Sequence, residues 1–91
     1  MRQSNNVKEQ FLFFKVRTWA DSESFGKLYD LYAKKIYSFV YFKVGSQEEA
    51  QDITSQTFLK VWQYMISPEA ENVRNVKAFI YRVARNIVID H

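Results

Sequence analysis

The chain has 91 residues, of which 47% are hydrophobic and 18% aromatic, and a formal net charge of +3 at pH 7. This length supports one domain with a single core, and the absence of cysteine excludes disulfides and thiolate metal sites and favours a reducing, cytoplasmic location. No apolar run approaches the roughly 20 residues that cross a bilayer, so no membrane span or signal peptide is predicted.

Positive charge is concentrated near the C-terminal end. Residues 1–73 carry nine basic and nine acidic side chains, whereas the last 18 residues carry Arg74, Lys77, Arg82 and Arg85 against Asp90 alone. A local basic surplus is typical of proteins that bind a polyanion. The same pattern also suits an ordinary solvated helix face.

The sequence predicts an all-α fold, a compact bundle of three to four helices. It contains two glycines and one proline, and it has no hairpin signal. A first helix is predicted from about Val7 to Thr18, with Asn5 or Asn6 as its N-cap. Three of its residues follow helical spacing and mark one face: Phe11, Phe14 and Thr18.

A long second helix follows, with Asp21 or Ser22 as its N-cap. Its apolar residues recur at three- and four-residue steps, as in an amphipathic helix. Gly45 is predicted to end this helix in a left-handed conformation. The predicted inner stripe consists of Phe25, Leu28, Tyr32, Ile36, Phe39 and Val40.

The third helix is predicted to begin with a capping box, in which Ser46 caps the helix and Glu49 reaches back to the Ser46 amide. Pro68 ends it. Its predicted buried side consists of Ala50, Ile53, Thr57, Phe58, Val61, Trp62 and Met65.

A polar connection over residues 67–74 leads to a fourth helix, capped by Asn72 or Asn75. Val76, Phe79, Ile80, Val83 and Ile87 form its predicted inner stripe. The polar residues lie off that stripe: Arg82, Arg85, Asn86 and Asp90.

Catalysis is not predicted, and neither a cofactor nor a metal is expected. His91 is the only histidine, and the chain has no Gly-rich phosphate loop. Glu48, Glu49 and Asp52 form an acidic cluster that a metal-dependent nuclease would need, but capping and the helix dipole account for it better. The two tryptophans, Trp19 and Trp62, are predicted to anchor the core.

Three segments together resemble domain two of the extracytoplasmic-function (ECF) sigma factors of bacteria. Residues 50–62 resemble the helix with which that family binds core RNA polymerase, and residues 76–90 its promoter-reading helix. Residues 25–32 resemble the family's F-x-x-L-Y-x-x-Y segment. The chain departs from the pattern at Gln51, Ser55 and Gln56, which replace an acid, Gln and Glu, and at Phe79, where tryptophan is commoner.

The resemblance implies two binding surfaces and divides the chain into an N-terminal extension (1–20) and domain two (21–91). The exposed side of the third helix would dock against helices of the large catalytic subunit of RNA polymerase. The candidate residues for this contact are Asp52, Ser55, Gln56, Leu59, Lys60 and Gln63.

The fourth helix and the loop before it would hold bases of the non-template strand of the promoter −10 element. Asn86 carries an amide that can pair with adenine, and Arg82 suits a base or a phosphate. Phe79 or Tyr81 would stack on a base if exposed, although the inner stripe favours a core position for Phe79. The full set of candidate DNA-binding residues is Arg74, Asn75, Lys77, Phe79, Arg82, Arg85, Asn86 and Asp90.

Two other functions remain open on sequence alone. A helix-turn-helix regulator would share the basic last helix, but it would want a shorter turn before that helix. A protein-interaction module would use the basic helix for an acidic partner, and an anti-sigma factor is compatible with the sigma role as well. The end of the last helix at His91, without a glycine cap, suggests an excerpt from a longer protein.

Overall fold

The computed structural model describes the backbone of residues 2–91 and the side chains of residues 7–91. Four α-helices account for most of these residues: α1 (Arg2–Trp19), α2 (Ser22–Val44), α3 (Gln47–Met65) and α4 (Val76–Asp90). A short 3-10 helix, Pro68–Asn72, lies between α3 and α4. Residues 2–91 contain no β-strand, and the predicted all-α fold is confirmed.

Helix α1 differs from its prediction at its start. It begins at Arg2 rather than near Val7, so Asn5 and Asn6 lie within the helix and the prediction that one of them caps it is wrong. The side chains of these two asparagines lie outside the described residues. At the other end, α1 closes on Ala20, which adopts a positive φ of 50° while its N–H donates to the Val16 carbonyl.

The buried face of α1 also differs from the prediction. Leu12, Phe13 and Val16 are buried, whereas Phe11 and Phe14 are 59% and 43% exposed. Thr18 is exposed as well. The continuous apolar run at residues 11–14 offers two alternative faces, and packing against the other helices selects the one that contains Phe13.

The junction between α1 and α2 is tight and polar. Asp21 occupies the N-cap position of α2, as predicted, and its carboxylate accepts a 2.5 Å hydrogen bond from the Ser24 hydroxyl. This hydrogen bond, helped by the Lys15 ammonium 3.8 Å away, lowers the pKa of Asp21. The charged carboxylate therefore favours the turn that starts α2.

The predicted turn from α2 into α3 is confirmed. Gly45 adopts the left-handed conformation with φ 73°, and its N–H donates to the Tyr41 carbonyl at 2.8 Å. The Ser46 hydroxyl then accepts a hydrogen bond from the Glu49 N–H at 3.3 Å. The Glu49 carboxylate does not complete the capping box, because it lies 3.5 Å from the Nε2 atom of His91 at the far end of the chain.

Consecutive helices run antiparallel, and aromatic pairs mark their contacts. Phe25 packs edge-to-face on Trp62 with ring centroids 5.2 Å apart, and Tyr29 packs in the same way on Phe58 at 4.9 Å. These two pairs join the first half of α2 to the second half of α3. Because α4 returns along α3, its end lies beside the start of α3, where His91 meets Glu49.

One hydrophobic core lies between the four helices. Leu28, Ile36, Ile53, Val61 and Ile80 are among its fully buried members. The inner stripes predicted for α2, α3 and α4 all contribute to this core, with Phe25, Phe39, Trp62, Val83 and Ile87 only half-buried at its edge. The prediction that Trp19 anchors the core is wrong, because its side chain is 66% exposed at the end of α1, where its ring packs edge-to-face on Phe14.

Candidate functional site

The outer surface of α4 carries the polar residues that the sequence analysis placed there. Lys77, Arg82, Arg85, Asn86 and Asp90 are all exposed. The buried side of the helix consists of Val76, Phe79, Ile80 and Ala84. The predicted separation of a polar outer side from an apolar inner side is therefore confirmed for α4.

The cations on this surface are not neutralised by the protein itself. Within the described part of the chain, Lys77, Arg82 and Arg85 make no ion pair with a carboxylate, and Asp90 is the one acid on α4. An exposed guanidinium presents several donors in a fixed fork that suits phosphate or a base edge. The outer surface of α4 can therefore attract and orient a polyanion.

Arg74 and Asn75 lie where the chain enters α4. The Arg74 side chain is exposed, while its backbone carbonyl accepts a 2.7 Å hydrogen bond from the Gln10 side chain of α1. The Asn75 side-chain oxygen accepts from the Ala78 N–H at 2.9 Å, which makes Asn75 the N-cap of α4. Of the two predicted N-caps, Asn72 and Asn75, the structure confirms Asn75, which therefore has a structural role besides its place among the DNA-binding candidates.

Phe79 requires a correction. Its ring is 5% exposed and packs between Phe13, at a centroid distance of 6.4 Å, and Tyr64, at 4.8 Å. A ring so little exposed has no free face for a base, so Phe79 takes the core position that its inner stripe favoured and is removed from the DNA-binding candidates. Tyr81, the alternative stacking residue, is half-buried against Phe39.

The outer face of α3 carries all six residues predicted to contact a protein partner. Leu59 is the apolar member and is 58% exposed. The Asp52 carboxylate accepts a 2.8 Å hydrogen bond from Gln56 one turn later. The remaining members, also exposed, are Ser55, Lys60 and Gln63. This face therefore presents one exposed apolar side chain among polar groups that can donate and accept hydrogen bonds.

A groove of about 910 Å³ joins the two predicted surfaces. From α3 it is lined by Gln56, Lys60 and Gln63, and from the end of α4 by Asn86 and Asp90. The sequence predicts these residues on two separate surfaces, one on each helix. The packing of α4 against α3 brings them to the border of one groove.

The connection before α4 is more ordered than a polar loop. Its 3-10 helix buries Ala70, and the Ser67 hydroxyl donates to the Tyr64 carbonyl at 2.6 Å. A cavity of about 240 Å³ lies between this connection and α1, with Gln10 and Arg17 among its lining residues. Sequence reasoning missed these two α1 residues, since no local signal links them to a segment so distant in the chain.

The acidic cluster at the start of α3 does not form a metal site. Among the described residues, no three His, Asp or Glu side chains converge as metal ligands would. Glu49 faces His91, and Asp52 is bound by Gln56. These side-chain partners account for Glu49 and Asp52, and a position in the first turn of the helix suits Glu48.

Within residues 2–91, no helix combines the length and the apolar character that a membrane crossing needs.

Fold and surface together define a class: small all-helical domains in which a helix with an unneutralised basic face packs beside a helix with a polar outer face. Residues 28–91 match the family Sigma-70 region 2. The chain belongs to this family, and the resemblance found in residues 25–90 is confirmed.

Similar proteins agree with this assignment. The chain is 37% identical over 71 residues to the ECF RNA polymerase sigma factor BldN of Streptomyces coelicolor. This match covers 78% of this chain and 26% of BldN. It is 31% identical over 70 residues to the ECF RNA polymerase sigma factor SigW of Bacillus subtilis, and the match covers 77% of this chain and 36% of SigW. The ECF RNA polymerase sigma factor SigL of Mycobacterium tuberculosis is 32% identical over 65 residues, and the match covers 69% of this chain and 35% of SigL.

The chain thus spans between about a quarter and about a third of the length of these relatives. No solved structure gives a significant match.

Proposed function

We propose that this chain is the promoter-opening domain of an ECF sigma factor. In this proposal α3 docks on the large catalytic subunit of core RNA polymerase, and α4 with the connection before it holds the non-template strand of the −10 element. The observation that carries the proposal is the unneutralised basic and amide-bearing surface of α4, within a chain that belongs to the Sigma-70 region 2 family.

Strand opening has a free-energy cost that this domain must offset by binding alone. DNA stacking contributes about 1.4 kcal/mol per step, and the chain has no Gly-rich loop with which to use a nucleoside triphosphate. Capture of bases that have left the stack supplies the required binding energy. No covalent bond is made or broken in this step, so the function needs neither a catalytic residue nor a cofactor.

The exposed residues of α4 suit different parts of the strand. The Asn86 amide can donate to and accept from an adenine edge, and the Arg82 fork can bind a base or a phosphate. Arg74, Lys77 and Arg85 suit backbone phosphates, which position the strand without reading its sequence. Asn86 and Asp90 also border the groove shared with α3, so they lie where the two proposed surfaces adjoin.

The two proposed surfaces can be separated by mutation. Arg82→Ala and Asn86→Ala are each expected to lower promoter opening by about tenfold, the effect of losing about 1.4 kcal/mol of strand binding. Retention of core RNA polymerase in a pull-down should not change. Lys8→Ala, an exposed cation on α1, is the control. If both variants lose polymerase binding together with opening, the assignment of α4 to DNA is wrong.

Asp52→Ala tests the docking surface. We expect weaker binding to core RNA polymerase, because the change removes a carboxylate and leaves the Gln56 side chain without its partner. Equilibrium binding of labelled chain to core enzyme measures the effect, and Glu23→Ala on α2 is the matched control. Unchanged affinity of the Asp52 variant would remove this residue from the interface.

A duplex-binding regulator would behave differently. The sigma proposal expects weak, salt-sensitive binding to duplex DNA and stronger binding to single strands in the absence of polymerase. Tight sequence-specific binding to duplex alone would favour the regulator instead.

A further inference from the structure

A second groove, which we call the α2 groove, lies on the opposite side of α4 from α3. Its volume is about 690 Å³. Three lysines and three aromatic residues line it: Lys34, Lys35, Lys43, Phe39, Phe42 and Tyr81. Five of these six side chains come from α2, a helix to which sequence reasoning gave only a packing role.

The lysines of the α2 groove have no acidic partner. In the part of the chain that the structure describes, none of the three is within ion-pair distance of a carboxylate, and no acidic residue lines the groove. Two of them lie against rings instead, with the Lys35 ammonium 5.6 Å from the centre of the Tyr32 ring and the Lys43 ammonium 5.2 Å from that of Phe39. The positive charge of the groove is therefore available to an anion.

The aromatic residues suggest what kind of anion fits. Phe42 is 88% exposed, which is more than any other large hydrophobic side chain among those described. Phe39 and Tyr81 fix the floor through an edge-to-face contact at 5.3 Å. Cations beside an exposed ring are the combination that holds single-stranded nucleic acid, because phosphates meet the charges and a base stacks on the ring.

The α2 groove is continuous with the surface of α4. Tyr81 belongs to α4 and lies one turn from Lys77 on one side and from Arg85 on the other. A strand held by these two cations can therefore pass directly over Tyr81 towards the lysines of α2. An acidic protein partner would use the lysines equally well, but it would give no reason for the exposed ring of Phe42.

We propose that the α2 groove binds an extended single strand of DNA, with its lysines on the phosphates and Phe42 stacked on a base. This inference rests on the proposed function, since it extends the path of the strand held by α4. It adds α2 to the DNA-binding surface and assigns it a role in retaining the strand without reading its sequence, because every base offers a stacking face.

The test is binding of the chain to a fluorescein-labelled single-stranded oligonucleotide of about 12 nucleotides and mixed sequence, measured by fluorescence anisotropy at several salt concentrations. Phe42→Ala is expected to weaken binding about 5- to 10-fold, within the contribution of one stacked base. Lys34→Gln combined with Lys43→Gln should lower the salt dependence, reducing the slope of log K against log salt by about 1.4.

The controls match each change in chemistry on a different helix. Phe11→Ala removes an exposed phenylalanine from α1, and Lys8→Gln combined with Lys15→Gln removes two charges from α1. Both control variants should bind the oligonucleotide like the unaltered chain. Thermal unfolding of every variant verifies that the fold is retained.

The outcomes distinguish this inference from the proposed function. If Arg82→Ala and Asn86→Ala weaken oligonucleotide binding while the groove variants bind normally, the proposal that the α2 groove binds DNA is wrong and the proposed role of α4 stands. If only the groove variants lose binding, the groove is supported and the assignment of α4 is contradicted. Loss of polymerase binding by Phe42→Ala, with oligonucleotide binding unchanged, would make the groove a protein contact and overturn the proposal.

Discussion

At the scale of single residues, Tyr32 shows how one side chain ties the N-terminal helix to the rest of the domain. Its ring is buried, and its hydroxyl donates a 2.6 Å hydrogen bond to the Glu9 carboxylate of α1. Burial, together with this carboxylate, raises the pKa of Tyr32 well above its ordinary value. The neutral phenol is therefore the form that the folded state requires.

Replacing Tyr32 tests this link directly. We expect Tyr32→Phe to lower the free energy of unfolding by about 1–2 kcal/mol, because the partly buried Glu9 carboxylate loses its donor. Chemical denaturation near pH 7 measures the loss. A variant as stable as the unaltered chain would show that water replaces the hydroxyl at no cost.

The same residue predicts a dependence on alkaline pH. The unfolded chain loses the Tyr32 proton near its ordinary pKa of about 10, whereas the folded chain keeps it to higher pH. The unfolded state then binds fewer protons, so stability is fully present below pH 10 and falls as the pH rises above it. The melting temperature of Tyr32→Phe should therefore fall less between pH 9 and pH 11 than that of the unaltered chain. An equal fall in both proteins would contradict the role given to Tyr32.

At the scale of helices, the first two end in the same way with different residues. Both α1 and α2 close on a residue with positive φ, which is Ala20 after α1 and Gly45 after α2. A side chain is disfavoured in this conformation by about 1–2 kcal/mol, whereas glycine adopts it freely. The glycine at position 45 gave a clear signal in the sequence, and the alanine at position 20 gave none.

The two positions allow a reciprocal exchange. Ala20→Gly is expected to stabilise the domain by about 0.5 kcal/mol and Gly45→Ala to destabilise it by about 1 kcal/mol, once the entropy of the unfolded chain is included. A Cβ at position 45 would meet no atom within 4 Å apart from its chain neighbours, so no steric clash with the rest of the fold adds to these two effects. Shifts in melting temperature of opposite sign would agree with this; shifts of the same sign would not.

Helix α1 illustrates the limit of periodicity. Its apolar run at residues 11–14 covers a full helical turn, so apolar side chains point to all sides of the helix. Spacing alone therefore cannot decide which of them face the core. The capping residues of the other helices were predictable because a cap acts on the next turn of its own helix. The inward face of α1 depends on α2 and α4, and the structure turns Leu12, Phe13 and Val16 inward while Phe11 and Phe14 remain exposed.

At the scale of the whole molecule, Phe79 connects three helices. Its ring on α4 contacts Phe13 of α1 and Tyr64 of α3, so α4 is held in place by the core itself. This contact explains why a residue in the middle of the proposed DNA-binding segment is not available to DNA. It also makes the position of α4 sensitive to changes in the N-terminal helix.

Phe79 can therefore be assigned by comparing stability with DNA binding. We expect Phe79→Ala to lower the free energy of unfolding by about 3–5 kcal/mol, as large core truncations do. Phe79→Leu keeps most of the buried volume and should retain both the fold and single-strand binding. A folded Phe79→Leu variant that has lost oligonucleotide binding would return this residue to the DNA surface.

The arrangement of the surfaces is the other property of the whole molecule. Gln56 and Lys60 of α3 border the same groove as Asn86 and Asp90 of α4, and the α2 groove flanks α4 on its other side. Sequence spacing placed each of the residues on α3 and α4 on the outer side of its own helix. Sequence spacing does not indicate which of these helix surfaces lie next to each other in the folded domain.

By itself, the amino-acid sequence determined the helical class, most helix ends, the apolar stripes of α2, α3 and α4, and the segments that resemble the sigma family. These properties depend on residues within a few positions of one another, where capping and 3.6-residue periodicity act. Only the tertiary structure decided which face of α1 is buried, that Trp19 is exposed, and that lysines of α2 lie beside α4. Those outcomes depend on how helices pack across long sequence separations, and many packings satisfy the same local pattern.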